Sequence, residues 1–437
     1  MRAIAAAAAF VLAIILLVAG IDPVPTWFFV FAWYPTVVLL DEWAHANGQP
    51  RALTRLPLVL SLFGWSAIVW LFFEAANFLL DNWYYVFLPR HPVERWAGVL
   101  LAFATVLPAI FFAERALGAA GVGKRWLTKP FSLGSRDLHY ATLLGALQFV
   151  LSLAWPRTFF PLIWGAMFLL CEPYVFRRRP DLSLFADLAR GDWGRTGRLF
   201  FGGLGIGMLW ESYNYWARGK WVYTVPWLEH TKWFEMPPFG FVGFAFFALE
   251  AWSMYAALCA AGVALDLTPS PSSPPAPLPW RGGISGLKTG RTKLAVLAAT
   301  VFAVATLVGM ERWTISSVVP RLADLPAVDS SEAVTLSRAG IRTPFALALS
   351  DPPAIERAGL PPGRSQSAKA TARLAVLRGI GAFYAGELEQ IGISDVCMLS
   401  EEDPFTLWTA LHLNLPEKRP TQAEVRVWVG GARKACA

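Results

Sequence analysis

Nine apolar runs constrain this chain more than anything else in it. They cover residues 3–20, 26–44, 57–79, 96–118, 139–155, 158–175, 199–216, 238–264 and 294–310. Each approaches the roughly 20 residues that a helix needs to cross bilayer hydrocarbon. There, only helices and closed barrels satisfy their own backbone groups. The runs lack the apolar–polar alternation of barrel strands, so they predict an all-α, polytopic membrane bundle. Only 16% of the residues are charged, against about 25% in soluble domains, which excludes an ordinary soluble enzyme. The first run has a second reading as a signal peptide, because Arg2 precedes a short apolar stretch. Its place in the repeat described next argues for retention.

Residues 25–41, "PTWFFVFAWYPTVVLLD", align without a gap on 156–172, "PRTFFPLIWGAMFLLCE", sharing a proline, a Phe pair, a tryptophan and a final carboxylate. Further on, "LFFEAANFLLDNWYYVFLP" meets "MLWESYNYWARGKWVYTVP". Glu74 falls on Glu211 and Asn77 on Asn214. After one inserted residue, Trp83 and Tyr85 fall on Trp221 and Tyr223. A third block sets Trp96 on Trp233 and Glu114 on Glu250. The first eight runs therefore read as two four-helix repeats, residues 1–118 and 139–264. An even number of crossings places both the same way up.

A Pro/Ser-rich linker at 265–293 precedes the ninth run, 294–310, which carries a soluble domain at 329–437 across the membrane. Most Lys and Arg of the short connections, including Arg2, "GKRWLTKP" and "FRRRP", fall on one side, which the positive-inside rule makes cytoplasmic. The expected setting is a bacterial inner membrane, with a cytoplasmic N-terminus and an extracytoplasmic C-terminal domain.

Glu74 and Asn77 share a helix face, as do Glu211 and Asn214. Intramembrane carboxylates are costly and tend to face a bundle interior or a wet cavity. One reading is a central acid–base site of Glu74, Glu114, Glu211 and Glu250, oriented by Asn77 and Asn214, in which Trp and Tyr faces steady a cation. The other is structural: the carboxylates bridge the two halves, and Trp83, Tyr84, Tyr85, Trp216, Trp221 and Tyr223 form an interfacial aromatic belt. Asp41 and His45 have i, i+4 spacing but no partner cluster among five histidines. They read as an interfacial turn, and no metal is expected.

The run "WESYNYWARGKWVYTVP", followed by "FEMPPFGFVGFAFFALE", resembles the bacterial and fungal lycopene cyclase domain. That family carries an acidic residue, a Gly-x-Trp-x-aromatic loop, a Pro/Glu motif and a Phe pair on successive membrane helices. The resemblance implies cofactor-independent, proton-initiated cyclisation of a carotenoid or related isoprenoid. It sets Glu211 at the acidic position, Gly219 and Trp221 in the loop, Glu235 and Pro237 at the Pro/Glu motif, and Phe246 and Phe247 at the Phe pair. The family places two acids after its proline, whereas this chain has one acid before the prolines. Trp83, Tyr85, Trp221, Tyr223 and Glu235 are the substrate-binding candidates.

In the C-terminal domain, "LRGIGAFYAGELEQIGI" has the pattern of a helix-hairpin-helix. Gly379 and Gly381 permit the turn, Ala385 and Leu388 pack the second helix, and Gly392 ends it. "LSRAGIRTPFALALSDPP" echoes "LEQIGISDVCMLSEEDPF", which resembles tandem helix-hairpin-helix domains. Residues 311–437 hold 14 basic and 14 acidic residues. That balance makes nucleic acid a poorer partner than protein. Cys397 and Cys436 lie where a disulfide is permitted, while Cys171 and Cys259 read as apolar filler.

Two functions follow as expectations. One is a membrane enzyme of isoprenoid lipid metabolism. The other is a non-enzymatic scaffold or lipid/solute transporter whose external domain binds a protein.

Overall fold

The structure is a computed structural model and describes residues 1–225, 231–267, 289–415 and 420–436. The chain is mostly helical and divides into two compact units. Residues 268–288 of the expected linker lie outside the described residues.

The first unit comprises Met1–Leu80, Trp96–Trp216 and Met236–Gly309. It opens with α1 (Arg2–Val18), α2 (Val24–Ala46) and α3 (Leu56–Leu80). Next come α4 (Pro92–Ala104), α5 (Val106–Ala119), α6 (Ser135–Ala154), α7 (Pro156–Phe159), α8 (Ile163–Arg178) and the short α9 (Leu184–Ala189). It closes with α10 (Gly194–Trp216), α11 (Gly240–Ala261) and most of α12 (Thr289–Trp313). Among the described residues, seven helices have the length and apolarity to cross a membrane: α2, α3, α4 with α5, α6, α7 with α8, α11 and α12. Two of the nine expected spans fall outside that set. α1 has only 17 residues. α10 has 23, but its glycines, Arg195 and Arg198 keep it less apolar than the others.

Gly203 and Gly207 of α10 are there for packing. A Cβ on Gly203 would sit 2.4 Å from Ala248 Cβ, and one on Gly207 would sit 2.4 Å from the Phe244 ring. α10 and α11 therefore approach closely, as small residues allow between membrane helices. Their contacts pair Gly203 with Ala248 and Gly207 with Phe244, so the two helices run antiparallel. Leu143, Leu147 and Val150 of α6 and Leu297, Val301 and Val304 of α12 are exposed, an apolar surface suited to lipid.

The carboxylates that end the first repeated block hold the loops after their helices. Asp41 accepts the N–H groups of Ala52 and Leu53 at 2.9 and 3.1 Å and pairs with Arg115 at 2.9 Å. Glu172 accepts Ser183 Oγ at 2.6 Å, Phe185 N–H at 3.0 Å and Ser253 Oγ at 2.8 Å.

The second unit comprises Asp81–Arg95, Ala217–Glu235 and Met310–Ala437, and so begins well before the expected 329–437. The reason is β-pairing that helix periodicity does not reveal. β1 (Trp83–Val86) and β2 (Lys220–Tyr223) form an antiparallel ribbon with Trp83 opposite Tyr223, Tyr84 opposite Val222 and Tyr85 opposite Trp221. These aromatic and β-branched residues suit a pleated, half-buried surface. Chain just past α12 then joins β1 in parallel: Tyr85 N–H donates to Thr314 O at 2.7 Å and Ser316 N–H to Tyr85 O at 2.9 Å.

One face of this ribbon, with Tyr84, Val86 and Val222, packs on Val427 of the C-terminal helix. Alternation along the strands puts Trp83, Tyr85, Trp221 and Tyr223 on the other face. Trp83, Tyr85 and Tyr223 are buried, which corrects the expectation of an interfacial belt for these residues. Trp216 is exposed and remains available to an interface.

The helices of this unit are α13 (Ser330–Arg338), α14 (Pro344–Leu349), α15 (Pro352–Arg357), α16 (Pro362–Val376), α17 (Gly381–Gln390), α18 (Val396–Glu401), α19 (Pro404–Asn414) and α20 (Gln422–Cys436). The echoed segments place matching residues at one core: Leu336 with Leu388 and Leu347 with Leu399 are buried in it, and Ile341, partly buried, packs against it as the match of buried Ile393. Gly340 and Gly392 end their helices at φ +95° and +91°, a conformation glycine adopts without strain.

Cys397 and Cys436 are bonded, with Cα atoms 5.2 Å apart. For a sequence separation of 39 residues, the loop-closure entropy predicts that Cys436→Ser costs about 4 kcal/mol. Faster hydrogen exchange of α18 and α20 amides in that variant checks this. Unchanged exchange would show that the core alone fixes these helices.

Candidate membrane carboxylate site

The four candidate glutamates do not occupy one level of the bundle. Ser66 Oγ donates to Phe103 O at 2.7 Å and accepts Leu107 N–H at 3.0 Å, while the Trp70 and Phe103 rings are 6.1 Å apart. α3 therefore runs antiparallel to α4 and α5. At about 1.5 Å per residue, Glu74 and Glu114 lie on the order of 20 Å apart along the axis. By the same reckoning from the glycine contacts, Glu211 and Glu250 lie about 15 Å apart.

Glu114 is set apart further by its partner. Arg198 of α10 donates to it through Nε at 2.8 Å, and the ion-pair separation is 2.7 Å. This charge-assisted pair bonds α5 to α10.

Glu250, fully buried on α11, caps a broken helix. α8 leaves helical geometry at Trp164 and Gly165, which frees the N–H groups of the restarting turn. Glu250 Oε1 accepts Met167 N–H at 2.6 Å. A carboxylate at a helix N-terminus is favoured by both hydrogen bonding and the helix dipole.

Glu74 and Glu211 keep the expected setting. Both are fully buried, with Asn77 and Asn214 one turn further on at 1% exposure. Trp70 Nε1 donates to Glu74 Oε1 at 2.9 Å. The rings of Trp70, Trp210 and Phe247 form a triangle with centroid separations of 5.5, 6.1 and 6.5 Å. Phe73, Trp164 and Phe247 extend it, with separations of 5.3 to 5.7 Å. Trp33 lies 5.8 Å from Trp210. The helices that carry Glu74, Glu211 and Glu250 thus meet through one aromatic cluster.

Of the expected Phe pair, Phe247 is central, whereas Phe246 is exposed. The tryptophans at 33, 70 and 210 were absent from the expected site, although the i, i+4 spacing of Trp70 and Glu74 is a readable signal.

The other candidates belong to the second unit. Glu235 is buried, pairs with Arg378, and lies 3.8 Å from Lys220. That ion pair accompanies its burial. Arg378 occupies the turn between α16 and α17, where Arg378, Gly379 and Gly381 have φ of +45°, +82° and +70°. The turn presses on its own chain. A Cβ on Gly379 would lie 1.9 Å from Val86 Cγ1, and Tyr84 Oη donates to Arg378 O at 2.8 Å.

A second clasp joins Asp81, Thr224 and α20. Thr224 Oγ1 donates to Asp81 O, and Arg426 donates to Thr224 O. Burial pushes the Asp81 carboxyl up to about 6, against the opposing effects of the Thr421 hydrogen bond and the Arg426 charge. Because its folded pKa exceeds the unfolded value, Asp81 stabilises this unit most at low pH, and that contribution is lost as pH rises through about 6. α20 amides should exchange more slowly at pH 5 than at pH 8, after correction for intrinsic rates. Asp81→Asn, which tolerates the left-handed φ of +50°, should remove the difference. An undiminished difference in that variant would assign the effect to another group.

The chain matches no family model, no curated protein and no solved structure.

Proposed function

We propose that the first unit is a membrane enzyme acting on an isoprenoid lipid by acid–base chemistry, with Glu74 and Glu211 as its carboxyl pair. The observation that carries this reading is the burial of both glutamates, each followed one turn later by a buried amide, around one aromatic cluster. In the cyclase-like reaction, one carboxyl adds a proton to a polyene C=C bond. The tryptophan faces steady the carbocation. A ring C–C bond forms, and the other carboxylate removes a proton, so the product is an isomer that needs no cofactor.

Two four-helix repeats in the same orientation belong to this reading. The ribbon register supports them: Trp83 and Trp221 are matched positions, as are Tyr85 and Tyr223, and each Trp faces the other copy's Tyr. α1 and α10 complete the nine crossings. A disulfide in the second unit fits an oxidising, extracytoplasmic location, with the N-terminus cytoplasmic. We read α16–α17 as a helix-hairpin-helix whose tip engages β1, which argues against nucleic acid as its partner.

The test compares lipids and pigments, by mass spectrometry, from cells lacking the protein, restored with wild type, and restored with Glu211→Gln. One isoprenoid species should accumulate in the deletion, be cleared by wild type, and persist with the variant. Three coinciding profiles, with the protein present in the membrane, would overturn catalysis. The break in α8 favours a second reading, lipid or solute transport, since interrupted helices mark transport sites. In that case the species would be redistributed across the membrane rather than converted.

A further inference from the structure

Two indole N–H groups in the aromatic cluster have no acceptor. Trp33 Nε1 on α2 and Trp210 Nε1 on α10 are buried with no hydrogen-bond partner among the described residues. Trp33 is fully buried, Trp210 is 4% exposed, and their rings are 5.8 Å apart. An indole nitrogen can only donate, and a buried donor without an acceptor is costly. Their ring neighbours, Phe29, Trp70, Tyr213, Phe244 and Phe247, are all uncharged. Thr36 and Tyr213, whose oxygens lie 3.1 Å apart, satisfy each other beside Trp33. The surroundings suit a neutral oxygen on an apolar body, not a phosphate or carboxylate, which would need a countercharge.

We propose that the first unit binds an isoprenoid bearing a carbonyl group, whose oxygen accepts hydrogen bonds from the indoles of Trp33 and Trp210. A carbonyl oxygen has two lone pairs and so can serve two donors at once. The apolar chain of the ligand lies along the rings of Trp70, Phe73 and Phe247. This deepens the enzyme reading by naming a ketone or quinone, rather than a pure hydrocarbon, as the molecule held.

The experiment uses the full chain in lipid nanodiscs and measures equilibrium binding of geranylgeranylacetone, with geranylgeraniol and squalene as competitors. Trp33→Phe and Trp210→Phe keep an aromatic ring and delete the donor. The ketone should bind wild type about 10-fold more tightly than the hydrocarbon. Each variant should lose about 10-fold in ketone affinity and keep its hydrocarbon affinity.

Equal binding of ketone and hydrocarbon to wild type, or no binding of either, overturns the proposal. So does an equal loss for both ligands in the variants, which would mean that the indoles only pack, with their N–H groups against ring faces. Glu211→Gln is carried in the same assay. Ketone binding without any change in cellular lipids would sink catalysis and leave this site standing. Converted lipids without ketone preference would do the reverse.

Discussion

Gly203→Leu is expected to abolish recovery of folded protein. A single Cβ at this position already lies 2.4 Å from Ala248 Cβ and 2.9 Å from Phe244 O. The second of these atoms is backbone and cannot rotate away. Even Gly203→Ala must push α10 from α11, and the larger side chain should cost more than about 3 kcal/mol. The displacement would also move Trp210 off Phe244 and Phe247, so the aromatic cluster would be lost with the helix pair. Gly205→Leu is the control: Gly205 is exposed on the same helix, and nothing lies within 4 Å of its Cβ position. Size-exclusion chromatography in detergent should give a monodisperse peak for the control and aggregate for Gly203→Leu. Two equal peaks would mean that α10 and α11 do not depend on close approach.

Arg378→Ala should destabilise the second unit by about 3 kcal/mol, the lower range for breaking one side of a buried ion pair, because Lys220 remains near Glu235. Glu235 is 2% exposed and would be left buried without a bonded guanidinium. Adding Glu235→Gln should restore much of the loss, since an amide is less costly to bury alone. Hydrogen exchange of α17 amides in the full chain reads both effects. If the double variant is as unstable as Arg378→Ala, the arginine matters through its packing on Gly431 rather than through the pair.

The parts legible in the sequence were those whose signal is local. Apolar runs locate their helices because membrane crossing demands a fixed length. Glu74 with Asn77 and Glu211 with Asn214 were visible because three-residue spacing sets a common face. The turn at Gly379 and Gly381 was visible because left-handed backbone favours glycine.

What stayed hidden depends on distant partners. Nothing near Glu114 announces Arg198, and nothing near Glu250 announces the break in α8 that it caps. The strand-forming residues of β1 and β2 look like interface aromatics until each finds the other, and Thr314–Val319 gives no sign that it will lie beside Tyr85. α10, expected as a span, falls short of the apolarity of the others because the glycines that let it pack dilute its apolar character.

The ribbon and its C-terminal partner set an order of events during synthesis. Tyr84 and Val222 await Val427, which is made hundreds of residues after Tyr84. At about 5–20 residues per second, that interval is roughly 20 to 70 seconds. Through it the face of the ribbon that carries Tyr84, Val86 and Val222 lacks its cover, and a ribosome stalled anywhere before α20 leaves that face bare. Truncation late in the chain therefore uncovers residues near its beginning.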